Sequence, residues 1–583
     1  MALIDLVQIT LAPWIQSISR SLDTPLFRST SGKVTIAAFS FFIVISSVLA
    51  FTYTFTQIRY RYQLSRLSKD SPQRPPAIPY TVPFLGSAIA FLAPKPGLFW
   101  KNLFAFHPRS TGACTLLLGG QRTHILFDAT AVASLFKAKE PTRDRFNEQL
   151  MENVFDLPHE EVKRFYGFKD EICVDEKGNT LPSAKKQQEE IWQEYLIKTE
   201  AVADLTREFT SRLKESMNAD EELQNGETIE VGIVEWLRGH MFKASTNALM
   251  GTRLLEVYPE LNEDFWVFDK GFLALFFGLP RITLQKEYEI MQKCLAGVRK
   301  WHDISYEETN GVPEDPKSGA PWEPCFGPRL NRARHNYFND RKLGGNTKAA
   351  IDLGMLFGLS SNAIPSAGWM IMHIIDPNGD KTLFPRVMAE LRSAENPDGS
   401  LDISKLIALP LLQSIFQESL RLYTDALVTR DLPNDLVLPM HDGKTSMMFE
   451  KGSIVMAATY VGHHDEGRWG TPEASCEIFY AERFLKKDPE TGKEMFSMNG
   501  TNGKLFPFGG GKTMCPGRVF AKQEVLGAVA IVLLQYDLKV LHYVDINGKE
   551  SSKFPGLMDM YGGNGIMPMD GDIVVELRRH EKH

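Results

Sequence analysis

The chain has 583 residues, 43% of them hydrophobic and 23% charged, with a formal net charge of −7. This is the composition of a globular protein, and its acidic balance excludes a surface built as a whole for nucleic acid or another polyanion. Six scattered cysteines (Cys114, Cys173, Cys294, Cys325, Cys476 and Cys515) form no C-x-x-C pair; the spacing argues against a zinc ribbon or thioredoxin motif and for free thiols in a reducing compartment.

Length alone suggests two to four domains, and no internal repeat or low-complexity tract is present. Val34 to Thr56 is a run of 23 residues without a charge. As a helix it spans about 35 Å, enough for a bilayer core. It is longer and further from Met1 than the apolar region of a secretory signal. Arg59, Arg61, Arg66, Lys69 and Arg74 follow it, against Arg20, Arg28 and Lys33 before it. The positive-inside rule therefore predicts a cytosolic body. Residues 1–33 are expected to be lumenal or interfacial, 34–56 a transmembrane anchor, 57–86 a basic and Pro-rich extended linker, and 87–583 the catalytic domain. Residues 113–127 read as a β-hairpin around Gly119-Gly120. From 130 to 300 the pattern is mostly helical, with a polar interruption at 168–186. The aromatic stretch Phe265–Pro280 reads either as a core helix pair or as a hydrophobic lid touching the membrane. Residues 305–348, rich in Gly, Pro, Asn, Asp and charge, read as a long surface insertion.

Ala349 to Ile375 predicts a long apolar helix stopped by Asp376-Pro-Asn-Gly379. Pro365 within it deprives the Ser361 carbonyl of its helical partner. It either divides two helices or makes a polar notch, beside Ser360 and Asn362, for dioxygen and a proton-carrying water. Leu411 to Tyr423 predicts an amphipathic helix with Glu418 and Arg421 on one side; such a pair alone carries little information. Arg430, in a strand-like segment beyond, is placed to reach an acidic cofactor group. His463-His464-Asp465 with Cys476 matches no common metal-ligand spacing.

The informative stretch is Phe508-Gly-Gly-Gly-Lys-Thr-Met-Cys515-Pro-Gly-Arg-Val-Phe-Ala521. A helical pattern follows, so Cys515 sits just before a helix N-terminus, where free N–H groups favour a thiolate. Gly517 leaves room beside it for a flat group, and a soft thiolate suits a haem iron that activates dioxygen. A phosphate loop requires Gly where Phe506 stands. A buried structural cysteine is the other alternative.

Four signals in order resemble the cytochrome P450 family. Phe508, Gly511, Cys515 and Gly517 match its F-x-x-G-x-x-x-C-x-G signature. Glu418 and Arg421 match its E-x-x-R pair, and Arg483, in Ala481-Glu-Arg-Phe484, matches the third member of that network. The resemblance implies a mainly α fold with a small β-region, a P450-like haem-thiolate fold. It implies haem b bound through Cys515, Phe508, Gly511, Gly517 and Arg430, with Cys515 as axial ligand of the iron. It further implies Glu418, Arg421 and Arg483 as a structural network, and a pocket drawn from 424–430 and 557–561.

The long helix departs from the family pattern. Asn362 stands at its acid position and Ala363 at its Thr position, which leaves Asn362, Ser361 and Ser366 as catalytic candidates. Thr513 stands where a basic residue is common, with Arg430 or Lys512 as substitutes, and no W-x-x-x-R occurs at Trp192. Asn-Ala-Ile-Pro-Ser is similar to the sterol 7α-hydroxylase and prostacyclin synthase branch and to fungal secondary-metabolism enzymes. The resemblance thus implies a monooxygenase hydroxylating a hydrophobic small molecule such as a terpenoid, steroid or polyketide. Its expected setting is the endoplasmic reticulum membrane, with electrons from NADPH through NADPH-cytochrome P450 reductase and no nucleic-acid partner. Lys504, Lys512, Arg518 and Lys522 are the expected reductase-docking patch. The alternatives are an isomerase or dehydratase acting on a peroxide without reductase, and a non-enzymatic haem binder.

Overall fold

A computed structural model describes residues 30–580 except 68–71, 93–94, 167–179, 181–182, 221–222, 224–225, 442 and 444. Residues 1–29 of the expected lumenal or interfacial segment, Cys173 and most of the polar interruption at 168–186 lie outside the described residues. In chain order the elements used below are α1 (Thr30–Arg66), β1 (Ala113–Leu118), β2 (Gln121–Leu126), α2 (Ala129–Lys137), α3 (Thr199–Asn218), β3 (Thr228–Gly232), α4 (Ile233–Met250), α5 (Leu261–Phe276), α6 (Gln285–Glu308), α7 (Arg329–Asp340) and α8 (Gly345–Ile375). They continue with α9 (Pro410–Tyr423), β4 (Thr424–Asp431), β5 (Ile454–Ala458), α10 (Arg518–Gln535), β6 (Tyr536–Asp545), β7 (Glu550–Ser551), β8 (Asn564–Ile566) and β9 (Gly571–Arg579).

Helices dominate because the core-facing segments are apolar on all sides. In α8 and α10 nearly every residue from Ser360 to Met372 and from Val525 to Leu533 is buried, as expected for helices enclosed by others. α8 crosses the interior and packs on α4, α6, α9 and α10. Its helix runs through Pro365 without a break, so Pro365 does not divide two helices. Two sheets flank the bundle, in the orders β1-β2-β5-β4-β8 and β7-β6-β9-β3. β2 and β5 pair in parallel and the other pairs are antiparallel. The predicted hairpin is present; Gly119 and Gly120 take φ of 56° and 82°, which a tight turn between twisted strands requires.

Two expectations need correction. The linker does not begin at 57: α1 continues to Arg66, and Thr56 and Tyr60 dock it on the body. The hydroxyl of Thr56 donates to the Tyr80 carbonyl at 3.1 Å, and that of Tyr60 lies 2.9 Å from Nδ1 of His107. Nor is all of 305–348 a surface insertion: most of 307–320 is exposed, but the part that follows is not. α7 buries Leu330, Arg332, Arg334, His335, Tyr337 and Phe338. Arg334, His335 and His302 surround the fully buried Asp352 of α8, at 2.8, 3.0 and 2.8 Å. The charge of Arg334 and His335 in α7 is paired internally, which composition cannot distinguish from a solvated face.

The apolar part of α1 is outward-facing, with Phe39, Phe41, Phe42 and Phe51 exposed. Ala38–Arg66 is long and apolar enough to cross a membrane, with a mean hydropathy of 1.9 and none of its apolar window buried. The aromatic helix α5, by contrast, buries Phe265, Phe268 and Phe272 in the core, whereas Phe277, Leu279 and Ile282 just beyond it are exposed.

Candidate active site

The Cys515 loop lies against the end of α2. A Cβ on Gly511 would sit 2.1 Å from the Phe136 carbonyl oxygen, and one on Gly510 would sit 2.2 Å from the Phe136 ring. Gly509 and Gly511 have φ of 72° and 65°; side chains at these positions would be strained or would collide. The Cys515 N–H donates to the Phe508 carbonyl at 3.0 Å. Cys515 is the exposed one among the described free cysteines; Cys114, Cys294 and Cys476 are buried, so a packing role does not account for it. Burial of the sulfur raises its pKa, opposed by the backbone N–H groups of Gly517 and Arg518 and by the charges of Arg518 and Arg143. The thiol on its own is protonated at neutral pH; a bound metal ion would take the thiolate. A Cβ on Gly517 would meet only the Cys515 sulfur at 3.8 Å and Leu196 at 4.0 Å, with φ −77°. Neither backbone nor packing demands glycine there, which fits the space a flat group needs.

Arg430 projects from β4 and donates to the Thr429 and Gly510 carbonyls, both at 2.7 Å. The backbone of Thr142 pairs with that of Asp431 in antiparallel register, which sets Arg143 opposite Arg430. Burial, then the charge of Arg143, pushes Arg430 down to about 10. Burial likewise lowers Arg143, whose Nε is buried without a hydrogen-bond partner. Thr429 and Thr513 hydroxyls are orphaned in the same way. Two like charges and orphaned donors near a thiol are costly unless an anion joins them. They fit a haem, whose two carboxylates would complete the arginines while Cys515 meets the iron. Arg143 escaped sequence reasoning because only the 142–431 register brings it beside Arg430.

Between Ala349 and Met372 of α8 the residues that are not buried are Gly354, Met355, Phe357, Gly358, Leu359 and Asn362. Apart from Phe357, they define one helical face within an otherwise buried helix. A Cβ on Gly358 would meet nothing within 4 Å. Asn362 is not free for acid–base work, because its Oδ1 accepts from the Ile566 N–H at 2.9 Å. Since that partner is a donor, the carboxamide oxygen must face it and only the NH₂ is left for the open face. Ser366 donates to the Asn362 carbonyl at 2.7 Å. Ser361 donates to Asp269 Oδ1 at 2.5 Å. The structure thus ties two of the three catalytic candidates to the protein itself and brings the third to a carboxyl group that sequence reasoning did not select.

Glu418, Arg421 and Arg483 form one cluster. Arg421 grips Glu418 through two hydrogen bonds of 2.8 Å, and Arg483 Nε reaches both carboxylate oxygens at 2.9 and 3.0 Å. The remaining N–H groups of the two guanidinium groups donate to the carbonyls of His463 and Cys476 from Arg421 and of Trp469, Ser475 and Ile478 from Arg483. His463 accepts from the Phe506 N–H and His464 contacts the Leu422 carbonyl. Lys522 turns inward to Gln413 and the Ile407 carbonyl at 2.6 and 3.1 Å. It is therefore not part of an exposed docking patch, because burial of its stem leaves it partners within the fold; Lys512 is exposed and Lys504 and Arg518 are partly so.

The family model for cytochrome P450 matches residues 196–559. The chain is 29% identical to the cytochrome P450 monooxygenase calL of Penicillium decumbens over 453 residues, covering 75% of this chain and 80% of that one. It is 27% identical to the cytochrome P450 monooxygenase fsoE of Humicola fuscoatra over 540 residues, covering 87% and 88%. It is 31% identical to the cholesterol 7-alpha-monooxygenase of Cricetulus griseus over 361 residues, covering 59% and 64%. A mainly helical chain with this match belongs to the cytochrome P450 family, and is a monooxygenase that uses haem iron and electrons from a reductase partner.

Proposed function

We propose that this enzyme hydroxylates a hydrophobic small molecule, a terpenoid, steroid or polyketide of secondary metabolism, with haem b ligated by Cys515. The observation that carries the reading is the Cys515 thiol just before α10, faced by the N–H groups of Gly517 and Arg518, in a residue that the protein's own packing leaves exposed. Haem held there supplies the activation of dioxygen and the oxidation of a C–H bond. The chain does the rest. Phe508 and Gly511 shape the loop that presents the sulfur, and the N–H groups at the head of α10 stabilise its charge. Arg143 and Arg430 hold the carboxylates, and the Glu418–Arg421–Arg483 cluster holds the segment around 463–483 in place. The Asn362 NH₂ donates toward the open face of α8, and the 424–430 strand and the 557–561 turn line the substrate side.

α1 is proposed as a single-pass anchor in the endoplasmic reticulum membrane, with residues 1–33 lumenal or interfacial and the catalytic domain cytosolic. The exposed Phe277, Leu279 and Ile282 suit a second contact with lipid through which an apolar substrate enters. NADPH-cytochrome P450 reductase is the proposed electron donor, docking on Lys504, Lys512 and Arg518. The fungal relatives named as monooxygenases support this reading over a reductase-independent peroxide isomerase.

The test is the spectrum of the reduced, carbon monoxide-bound full-length protein. A long-wavelength Soret band, lost in Cys515→Ser, is expected; a normal-position band in the native protein rejects thiolate ligation. Metabolite profiling of cells with and without the chain then identifies the product, and full turnover without NADPH and reductase would reject the monooxygenase assignment.

A further inference from the structure

The alcohol that α8 lacks at 363 is present two residues earlier as Ser361, and the acid it lacks at 362 is supplied from another helix. Asp269 of α5 is 5% exposed. Its Oδ1 accepts from the Ser361 hydroxyl at 2.5 Å and its Oδ2 from the Tyr561 hydroxyl at 3.2 Å. The Phe272–Phe357 stack, at a centroid separation of 3.8 Å, clamps α5 on α8 at this level. No salt bridge reaches Asp269 among the described residues. The groups facing it are Ser361 from α8, Tyr561 from the 557–561 turn and, at longer range, the Arg238 charge from α4; Glu287 of α6 lies over Gly271, two residues on. A buried carboxyl held by two hydroxyls without a contacting cation is a functional arrangement more than a stabilising one.

Ser361 follows Gly358 by three residues and Gly354 by seven, so its hydroxyl borders the open face of α8. Its own carbonyl is the one that Pro365 leaves without a partner. Asn362 cannot titrate, and its oxygen is committed to Ile566. Burial pushes Asp269 up to about 6, against the pull of its two hydrogen bonds, so it exchanges protons near neutral pH.

We propose that Asp269 and Ser361 are the proton-transfer pair of this enzyme, with the acid supplied by α5 across the helix interface. The proposal rests on the monooxygenase reading above. When Asp269 is ionised, Ser361 donates to it, as seen. When Asp269 is protonated, its O–H donates to Ser361 Oγ, and the serine hydrogen turns to the open face. One proton leaves Ser361 toward the open face of α8, one passes from Asp269 to Ser361, and one re-enters Asp269 from the Tyr561 side. No electron moves and no group is left charged at the end of the cycle.

The test uses full-length holoprotein with reductase and NADPH, without added substrate, in H₂O and D₂O. Infrared difference titration of the wild type is expected to show a carboxyl band with its midpoint near pH 6, absent in Asp269→Asn. Dioxygen consumption should fall by about a hundredfold in Asp269→Asn and Ser361→Ala, the scale of one lost acid–base group. Its solvent isotope effect and its inflection near pH 6 should change with it, while the carbon monoxide band is retained. Unchanged isotope effect and pH profile in Ser361→Ala, which removes only a hydroxyl, would overturn the proposal even if Asp269→Asn proved unstable. Loss of the band in the wild type would count against the haem-thiolate reading instead.

Discussion

Replacing Glu418 by Gln tests the central cluster with the least change of shape. Glu418 is fully buried, as is Arg421, and Arg483 is nearly so. The carboxylate receives Arg421 Nε and Nη2, Arg483 Nε and the Tyr480 N–H, at 2.8 to 3.1 Å. Gln keeps one accepting oxygen and turns an NH₂ donor toward the guanidinium groups. Two positive charges would then lie together without an anion. Removing one partner of a buried charge cluster costs about 3–5 kcal/mol, a large share of the roughly 5–15 kcal/mol that holds a domain folded. The loss should exceed that of a surface pair such as Lys539–Glu576, which is worth at most about 1 kcal/mol. Denaturant unfolding of the haem-loaded protein, followed by tryptophan fluorescence, measures the difference; Trp469, whose carbonyl accepts from Arg483, reports locally. A Glu418→Gln protein within about 1 kcal/mol of wild type would refute the reasoning, because a buried unpaired charge cannot be that cheap.

Arg143→Leu should act in opposite directions on the two forms. It relieves a buried like-charge contact in apoprotein, yet removes charged hydrogen bonds worth about 1.5–3 kcal/mol each in the haem complex, so haem should transfer to apomyoglobin about tenfold to a hundredfold faster. Asn362→Leu strands the Ile566 N–H and should cost about 1–3 kcal/mol, with faster amide exchange at Ile566; Asn362→Asp, which keeps the acceptor, should protect that amide. Glu524, buried and hydrogen-bonded by Ser245 at 2.5 Å, is raised from the usual carboxylate range to about 7 by burial. The native state then binds its proton more tightly than the unfolded chain, so its contribution is favourable at low pH and is lost as pH rises through about 7. Glu524→Gln should therefore gain stability over wild type between about pH 5 and pH 8, by about 3 kcal/mol at most; a pH-independent difference in melting temperature would contradict this.

The glycine loop, Cys515, the E-x-x-R helix and the long helix were legible because each is local: spacing alone puts Glu418 and Arg421 on one side and Cys515 before a helix. Their joint order was enough for the family. The burial of α7 was not legible, since charged residues paired around Asp352 have the same composition as a solvated loop. Lys522 was misplaced for the same reason.

The sequence by itself determined the cysteine loop, the anchor-length apolar helix and the missing acid and alcohol on α8. Only the tertiary structure decided what surrounds them. Arg143 meets Arg430 through an antiparallel register between residues 142 and 431; Asn362 is claimed by a strand 204 residues further on; and Ser361 finds its carboxyl 92 residues earlier. Side-chain periodicity extends along one element only, whereas these contacts arise from packing between elements, where burial sets both the partners and their proton affinities.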